Sequence, residues 1–214
     1  MATHNTDLPA GESPASSRAK IIETAEPLFA RQGFAGVGLR EVAERVGLGK
    51  SSLFHHFPSK VKLYAAVLER VLVEFDRRLS ERERTAGTAL ARLHAWADAG
   101  VDTLAENPTF GPLLLRSLFE DDILAPPERD LVDAAFDRIV ARISRTLEEG
   151  MASGEIRELS IPHTIQSLIG LTVYPFASDS LGQRLLGSPI YSAEQIRARK
   201  QHLFEFIARG FSVP

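Results

Sequence analysis

Gly49, Lys50 and Ser51 form a short sequence that ends the phosphate-binding loop of many NTPases. The complete loop pattern needs another glycine where this chain has Glu44, and it needs a preceding β-strand, whereas the segment here has the apolar spacing of an amphipathic helix. The six histidines are scattered, no HExxH or GxSxG motif occurs, and the chain has no cysteine. We therefore expect neither an enzyme nor a bound cofactor or metal.

The turn before Lys50 indicates a different chemistry. Ala43 is small where two helix backbones approach each other, Gly47 follows where a positive φ is wanted, and Leu53 supplies a later apolar contact. This spacing is typical of a helix-turn-helix, whose second helix enters the DNA major groove with its N-terminal residues at the base edges. The same residue types also fit a generic pair of packed helices.

Helical spacing of apolar residues predicts the elements that position this motif. A first helix is expected from Ser16–Ser17 to Gly33, although Pro27 inside it is unfavourable. The other helices are expected at 39–46, 50–57, 60–84, 88–105, 109–121, 127–152, 162–182 and 192–210. No segment alternates as a β-strand does, so the fold class is all-α with about nine helices. Pro175 should kink or split the helix at 162–182.

Charge is distributed unevenly along the chain, whose net charge is −3. Residues 15–70 hold nine basic and five acidic side chains, a net of +4, whereas residues 71–214 hold 16 basic and 21 acidic ones, a net of −5. A basic module on an acidic body favours a polyanionic partner at one end.

Residues 1–14 have no leader-like basic or apolar region, and the longest apolar stretch, 168–177, is too short to span a membrane. We expect a cytoplasmic protein.

Residues 17–70 closely resemble the N-terminal domain of the TetR family of bacterial repressors. The resemblance is carried by AKIIETA (19–25), LFARQGF (28–34), LREVA (39–43), VGL (46–48) and LFHHFPSK (53–60). It implies a three-helix helix-turn-helix DNA-binding domain at 15–62, after a disordered arm at 1–14. A C-terminal helical domain for ligand binding and dimerisation would occupy 63–214.

The resemblance also implies which side chains contact DNA. Lys50, Ser51 and Ser52 would open the recognition helix and face the groove, and His55 would reach a base edge or a phosphate. Lys60 would contact the DNA backbone, and Arg40 and Arg18 would add phosphate contacts. These roles agree with the way in which helix N-termini, basic groups and hydroxyls bind nucleic acids.

Three residues depart from the family pattern. Gly38 and Gly49 stand where Ser or Thr usually caps a helix, and glycine offers no side-chain oxygen. Phe54 stands where a tyrosine hydroxyl usually contacts phosphate. We expect DNA binding to be somewhat weaker or shifted in register, with Phe54 still at the interface.

The last two long helices are expected to form a four-helix dimer interface with their twofold mates, as in the family. The helix at 162–182 is apolar nearly all round, and that at 192–210 carries an apolar stripe. The alternative is that both helices fill the core of one subunit. The expected interface residues are Leu168, Leu171, Phe176, Ile196, Leu203, Phe204 and Ile207.

The family usually places a small-molecule pocket between the long helix and the helices that follow it. The apolar candidates here are Leu93, Trp96, Phe110, Leu114, Phe119, Phe136 and Tyr174. Arg138, Arg142 and Arg145 fit a solvated helix face better than an anion site.

The sequence thus favours a homodimeric transcriptional regulator, most often a repressor, that an apolar effector releases from a double-stranded palindromic operator. Three alternatives stay open: a DNA-binding dimer without effector, an activator, and a protein-interaction module on the same fold.

Overall fold

A computed structural model describes residues 14–212, so the arm expected at 1–14 lies almost wholly outside the described residues. Within that range the chain forms ten α-helices and no strand, which confirms the all-α fold class. The helices are α1 (Pro14–Gly36), α2 (Leu39–Val46), α3 (Lys50–His56), α4 (Lys60–Glu83), α5 (Ala89–Glu106), α6 (Phe110–Ser117), α7 (Glu128–Ala152), α8 (Ile161–Ala177), α9 (Asp179–Leu186) and α10 (Ala193–Phe211).

Helix α4 joins the two halves of the molecule. It packs against α1 on the N-terminal side and against α5, α6 and α7 on the other side. Leu63, Val67, Leu68 and Val71 are completely or almost completely buried along it. Ser59 begins the helix by accepting a hydrogen bond from the Lys62 N–H at 3.2 Å. A single apolar core therefore runs through both halves.

Two predicted helices differ from the structure near a proline or a glycine. The segment expected at 162–182 forms two helices, α8 and α9, separated at Ser178, three residues after Pro175. Proline has no N–H, so the Leu171 carbonyl lacks its intrahelical donor, and the Arg199 guanidinium of α10 donates to that carbonyl instead. In α1 the helix continues through Pro27, but at Gly33 the backbone leaves the helical region with φ 68° and ψ 178°.

The helix expected at 109–121 is also shorter than predicted. Helix α6 ends at Ser117, and a short 3-10 turn follows at Asp121–Ile123. Among the described helices, none is both long enough and apolar enough to cross a membrane.

Candidate nucleic-acid interface and apolar cavity

Helices α2 and α3 are joined by a three-residue turn that requires glycine. Gly47 adopts φ 78° and ψ 28°, and the Leu48 N–H donates to the Ala43 carbonyl at 2.9 Å, which closes α2. Val42, Ala43 and Leu53 are buried, and α2 packs against both α1 and α3. The turn therefore has the geometry that the spacing of Ala43, Gly47 and Leu53 predicts.

Helix α3 presents its first turn to solvent. Lys50, Ser51 and His55 are exposed, Ser52 is half-buried, and Phe54 is 37% exposed with its ring 5.7 Å from Lys50 Nζ. Gly49 precedes α3 and Gly38 precedes α2. Because glycine has no side chain, neither residue makes a side-chain hydrogen bond that caps its helix. The free N–H groups at the start of α3 and the Lys50 ammonium form a surface suited to an anion.

Two flanking arginines have different surroundings. Arg18 is exposed and lies 5.1 Å above the Phe57 ring, which fixes the guanidinium beside the end of α3. Arg40 forms an exposed ion pair with Glu44 at 2.8 Å, so a phosphate must compete with that carboxylate.

Lys60, for which a DNA backbone contact is predicted, also has contacts within the subunit. Its Nζ donates to the Phe34 carbonyl at 2.8 Å and to the Val37 carbonyl at 2.9 Å, and it lies 4.3 Å from the centre of the Phe34 ring. These carbonyls belong to the end of α1 and the turn after it, where helical partners are missing. The ammonium therefore links α1 to the start of α4, and a DNA phosphate would have to compete with these carbonyls for it.

Helix α6 is attached to the N-terminal half at both ends. Thr109, just before α6, donates from its hydroxyl to Glu26 of α1 at 2.6 Å, and Arg70 of α4 also pairs with Glu26. After α6, Glu120 accepts a 2.6 Å hydrogen bond from the Tyr64 hydroxyl and a 3.3 Å bond from the Phe34 N–H. Burial, and then the bond to Glu120, raise the pKa of Tyr64, so its hydroxyl remains a donor at neutral pH.

An apolar cavity of about 80 Å³ lies between α4, α5, α7 and α8. Of the seven predicted effector residues, only Leu93 and Trp96 line it. The complete lining is Phe75, Leu79, Leu93, Trp96, Ala97, Gly100, Ile139, Ile143, Leu168, Ile169, Thr172 and Val173.

The other five predicted effector residues do not line this cavity. Phe110 is buried elsewhere in the core and Leu114 is half-buried, whereas Phe119, Phe136 and Tyr174 are exposed. Tyr174 lies on the face of α8 opposite the cavity-lining residues, because one residue along a helix turns the side chain by about 100°.

Most of the predicted dimer residues are engaged within the subunit. Phe176, Leu203 and Ile207 are buried, and Leu168 lines the cavity. Leu171 and Ile196 are half-buried, and Phe204 is 53% exposed. Helices that are apolar on several faces use one face for the core, and sequence spacing did not separate that face from the outer one.

The outer surface of α8–α10 carries aromatic and aliphatic side chains that were not all anticipated. Tyr174, Phe204 and Phe206 are 43–53% exposed, and on α9 Leu186 is 53% and Leu185 is 74% exposed. His94 of α5 stacks on Phe204 at 4.0 Å, and burial lowers the pKa of His94. Apolar side chains are therefore exposed on all three of these helices.

The exposed third helix, the glycine turn and the all-helical body define a helix-turn-helix protein. Residues 21–67 match the family described as bacterial regulatory proteins, tetR family. The chain is 28% identical over 149 residues to the transcriptional activator FasR of Mycolicibacterium smegmatis, covering 67% of this chain and 65% of FasR, just under two thirds. It is 28% identical over 136 residues to the transcriptional repressor NemR of Escherichia coli, covering 63% of this chain and 68% of NemR.

The fold is shared with solved regulators. The structure of AibR in complex with isovaleryl coenzyme A and operator DNA has a TM-score of 0.74 at 17% identity, covering 89% of this chain and 97% of AibR. An identity this low shows a common fold.

Proposed function

We propose that this chain is a cytoplasmic transcriptional regulator that binds a short palindromic DNA operator as a homodimer and leaves it when a small apolar effector binds. The observation that carries the proposal is the exposed first turn of α3, with Lys50, Ser51 and His55 free to contact DNA on a segment of TetR type. Sequence preference would come from His55 and Ser51, and affinity from Lys50, Arg18 and Arg40.

A homodimer supplies the affinity that one recognition helix lacks. Two such helices about 34 Å apart read two half-sites one DNA turn apart. The exposed apolar side chains of α8 and α10, among them Tyr174 and Phe204, are surface that a twofold mate would cover.

The apolar cavity would hold the effector. Its volume, about 80 Å³, is well below the ~300 Å³ at the lower end for ligand pockets, so a ligand must push the surrounding helices apart. The closed cavity would then be the state that binds DNA. An effector shifts the balance only by its preference for the expanded state.

The attachment of α6 offers a route from the cavity to the DNA-binding domain. Helix α8 lines the cavity and packs closely on α6, because Gly111 of α6 leaves no room for a Cβ, which would lie 3.0 Å from the Phe176 carbonyl carbon. Movement of α8 would carry α6 with it and pull on Glu26 through Thr109 and on Tyr64 through Glu120. Helix α4 would carry the same displacement directly, since it belongs to both halves.

Fluorescence anisotropy with labelled DNA from beside the chain's own gene tests the proposal, with scrambled DNA as control and two salt concentrations. We expect tight, salt-sensitive binding that prefers the native DNA. Equal affinity for both DNAs, or no binding at low salt, would contradict it. Analytical ultracentrifugation of the free protein tests the homodimer separately.

A further inference from the structure

The lining of the apolar cavity contains no charged side chain. Its only polar groups belong to Trp96 and Thr172, and the other ten lining residues are apolar or glycine. A carboxylate or an ammonium placed there would lose its hydration without gaining a counter-ion, which is strongly unfavourable. The lining therefore favours a neutral occupant over a charged one.

Trp96 is 95% buried, since its relative exposure is 5%, and its indole lines the cavity. Within the described part of the chain, no acceptor lies within hydrogen-bonding distance of Trp96 Nε1. Buried indole N–H groups normally have a partner, because an unpaired buried donor forfeits its bond to water. The unpaired N–H thus belongs to a residue that lines the cavity, and it has no partner among the described residues.

Water is a poor partner for this donor. An ordered buried water usually makes two to four hydrogen bonds, and the only other polar side chain in the lining is that of Thr172. An occupant whose body is apolar and which carries a single acceptor satisfies the indole without leaving further polar atoms unpaired. The volume of about 80 Å³ is roughly half that of a cavity known to admit benzene in another protein, so even a small ring enters only as the surrounding helices move apart.

We infer that the effector is a small neutral molecule bearing a carbonyl-type acceptor, and that the Trp96 indole N–H donates to this acceptor. The inference rests on the proposed function only in calling the ligand an effector. Trp96 thereby determines specificity: it distinguishes ketones, esters and acyl groups from hydrocarbons of equal shape.

Two probes of nearly identical shape test the inference. Cyclopentanone carries the acceptor, and methylenecyclopentane replaces the oxygen by a CH₂ group. Trp96 is the single tryptophan of the chain, so ¹⁵N-labelled protein gives one indole N–H resonance. We expect cyclopentanone to move this proton downfield and to bind about tenfold more tightly than the alkene, as one buried hydrogen bond implies.

Variants identify the donor. Trp96→Phe should remove the preference for the ketone, whereas Thr172→Val, a nearly isosteric change at the other polar group, should retain it. Loss of preference in Thr172→Val alone, equal binding of both probes, or no binding of either would each overturn the inference. If Trp96→Phe does not fold, the indole resonance of the unmodified protein decides the question by itself.

The result is separable from the proposed function because the titrations contain no DNA. If cyclopentanone shifts the indole proton downfield but the protein does not prefer its native DNA, the ligand inference is supported and the regulator proposal is refuted. If the protein binds its native DNA specifically but cyclopentanone does not shift the indole proton, only the ligand inference is refuted.

Discussion

The Tyr64 hydroxyl donates a 2.6 Å hydrogen bond to Glu120 Oε2, although 56 residues separate the two in sequence. Tyr64 lies on α4 at the edge of the helix-turn-helix domain, and Glu120 follows α6. The same carboxylate accepts the Phe34 N–H after the non-helical Gly33. One side chain thus joins both helices that support α3 to the helix that packs on the cavity wall.

Tyr64→Phe should uncouple ligand binding from DNA binding. The change removes the donor but keeps the ring, so we expect a cavity ligand found by thermal shift to bind with unchanged affinity, while its effect on DNA affinity falls severalfold. Anisotropy titrations with and without the ligand measure the effect. Asp122→Asn, an exposed change two residues from Glu120, serves as control. Full ligand response in Tyr64→Phe would assign the coupling to α4 alone.

Lys60 and Lys50 should behave differently when neutralised. Lys60→Met leaves the carbonyls of Phe34 and Val37 without their donor, and we expect a loss of about 1–2 kcal/mol in the free energy of unfolding with little change in the salt dependence of DNA binding. Lys50→Ala should leave stability unchanged and lower the slope of log K against log salt by about one. Urea denaturation and anisotropy at several salt concentrations measure both. The reverse pattern would indicate that Lys60 contacts a DNA phosphate and that Lys50 does not.

The sequence predicted α2, α3 and α4 almost to the residue, because Gly47, Pro58 and the cap at Ser59 mark their ends locally. It did not predict what Lys60 contacts, since the position of the α1 carbonyls relative to α4 is a tertiary property. Most of the cavity lining was missed for a related reason: residues that line a void have the same apolar spacing as residues that fill a core. The small residues Ala97 and Gly100, one turn apart on α5, were the available signal for unfilled space.

Gly33 and Gly47 should differ in their tolerance of alanine. Gly33 combines φ 68° with ψ 178°, a region nearly closed to L-residues, and a Cβ there would meet Arg116 Nη1 and Glu120 Oε1 at 3.0 Å. Gly47 lies in the ordinary left-handed region, with open space around it. We expect Gly33→Ala to cost about 2–3 kcal/mol and Gly47→Ala about 1 kcal/mol in urea denaturation. Equal costs would mean that the turn after Gly33 adapts freely.

Glu74 gives a pH-dependent contribution to stability. Hydrogen bonds from Arg77 and then Arg78 lower the pKa of Glu74 to about 2, against the opposing effect of burial. Because the folded pKa lies below the unfolded one, the stabilisation is complete above pH 4.5 and is lost as the pH falls towards 2. Glu74→Gln should therefore destabilise the protein by about 1 kcal/mol at pH 7, with a smaller difference at pH 3.5. Glu69→Gln, which removes no described ion pair, is the control; a difference independent of pH would contradict the assignment.

Gly100→Ala should yield a protein that binds DNA but no longer responds to ligand. The added Cβ would lie 2.9 Å from Thr172 Cγ2 and 3.6 Å from the Phe75 ring, inside the wall of the cavity. Crowding at this point costs about 1–3 kcal/mol and leaves less room between α5 and α8 for any occupant. Gly210→Ala is the matched control, because a Cβ at Gly210 meets no atom within 4 Å. We expect thermal stabilisation by cyclopentanone to vanish in Gly100→Ala and persist in Gly210→Ala, with operator affinity retained in both. An unaltered ligand response in Gly100→Ala would mean that the effector binds outside this cavity.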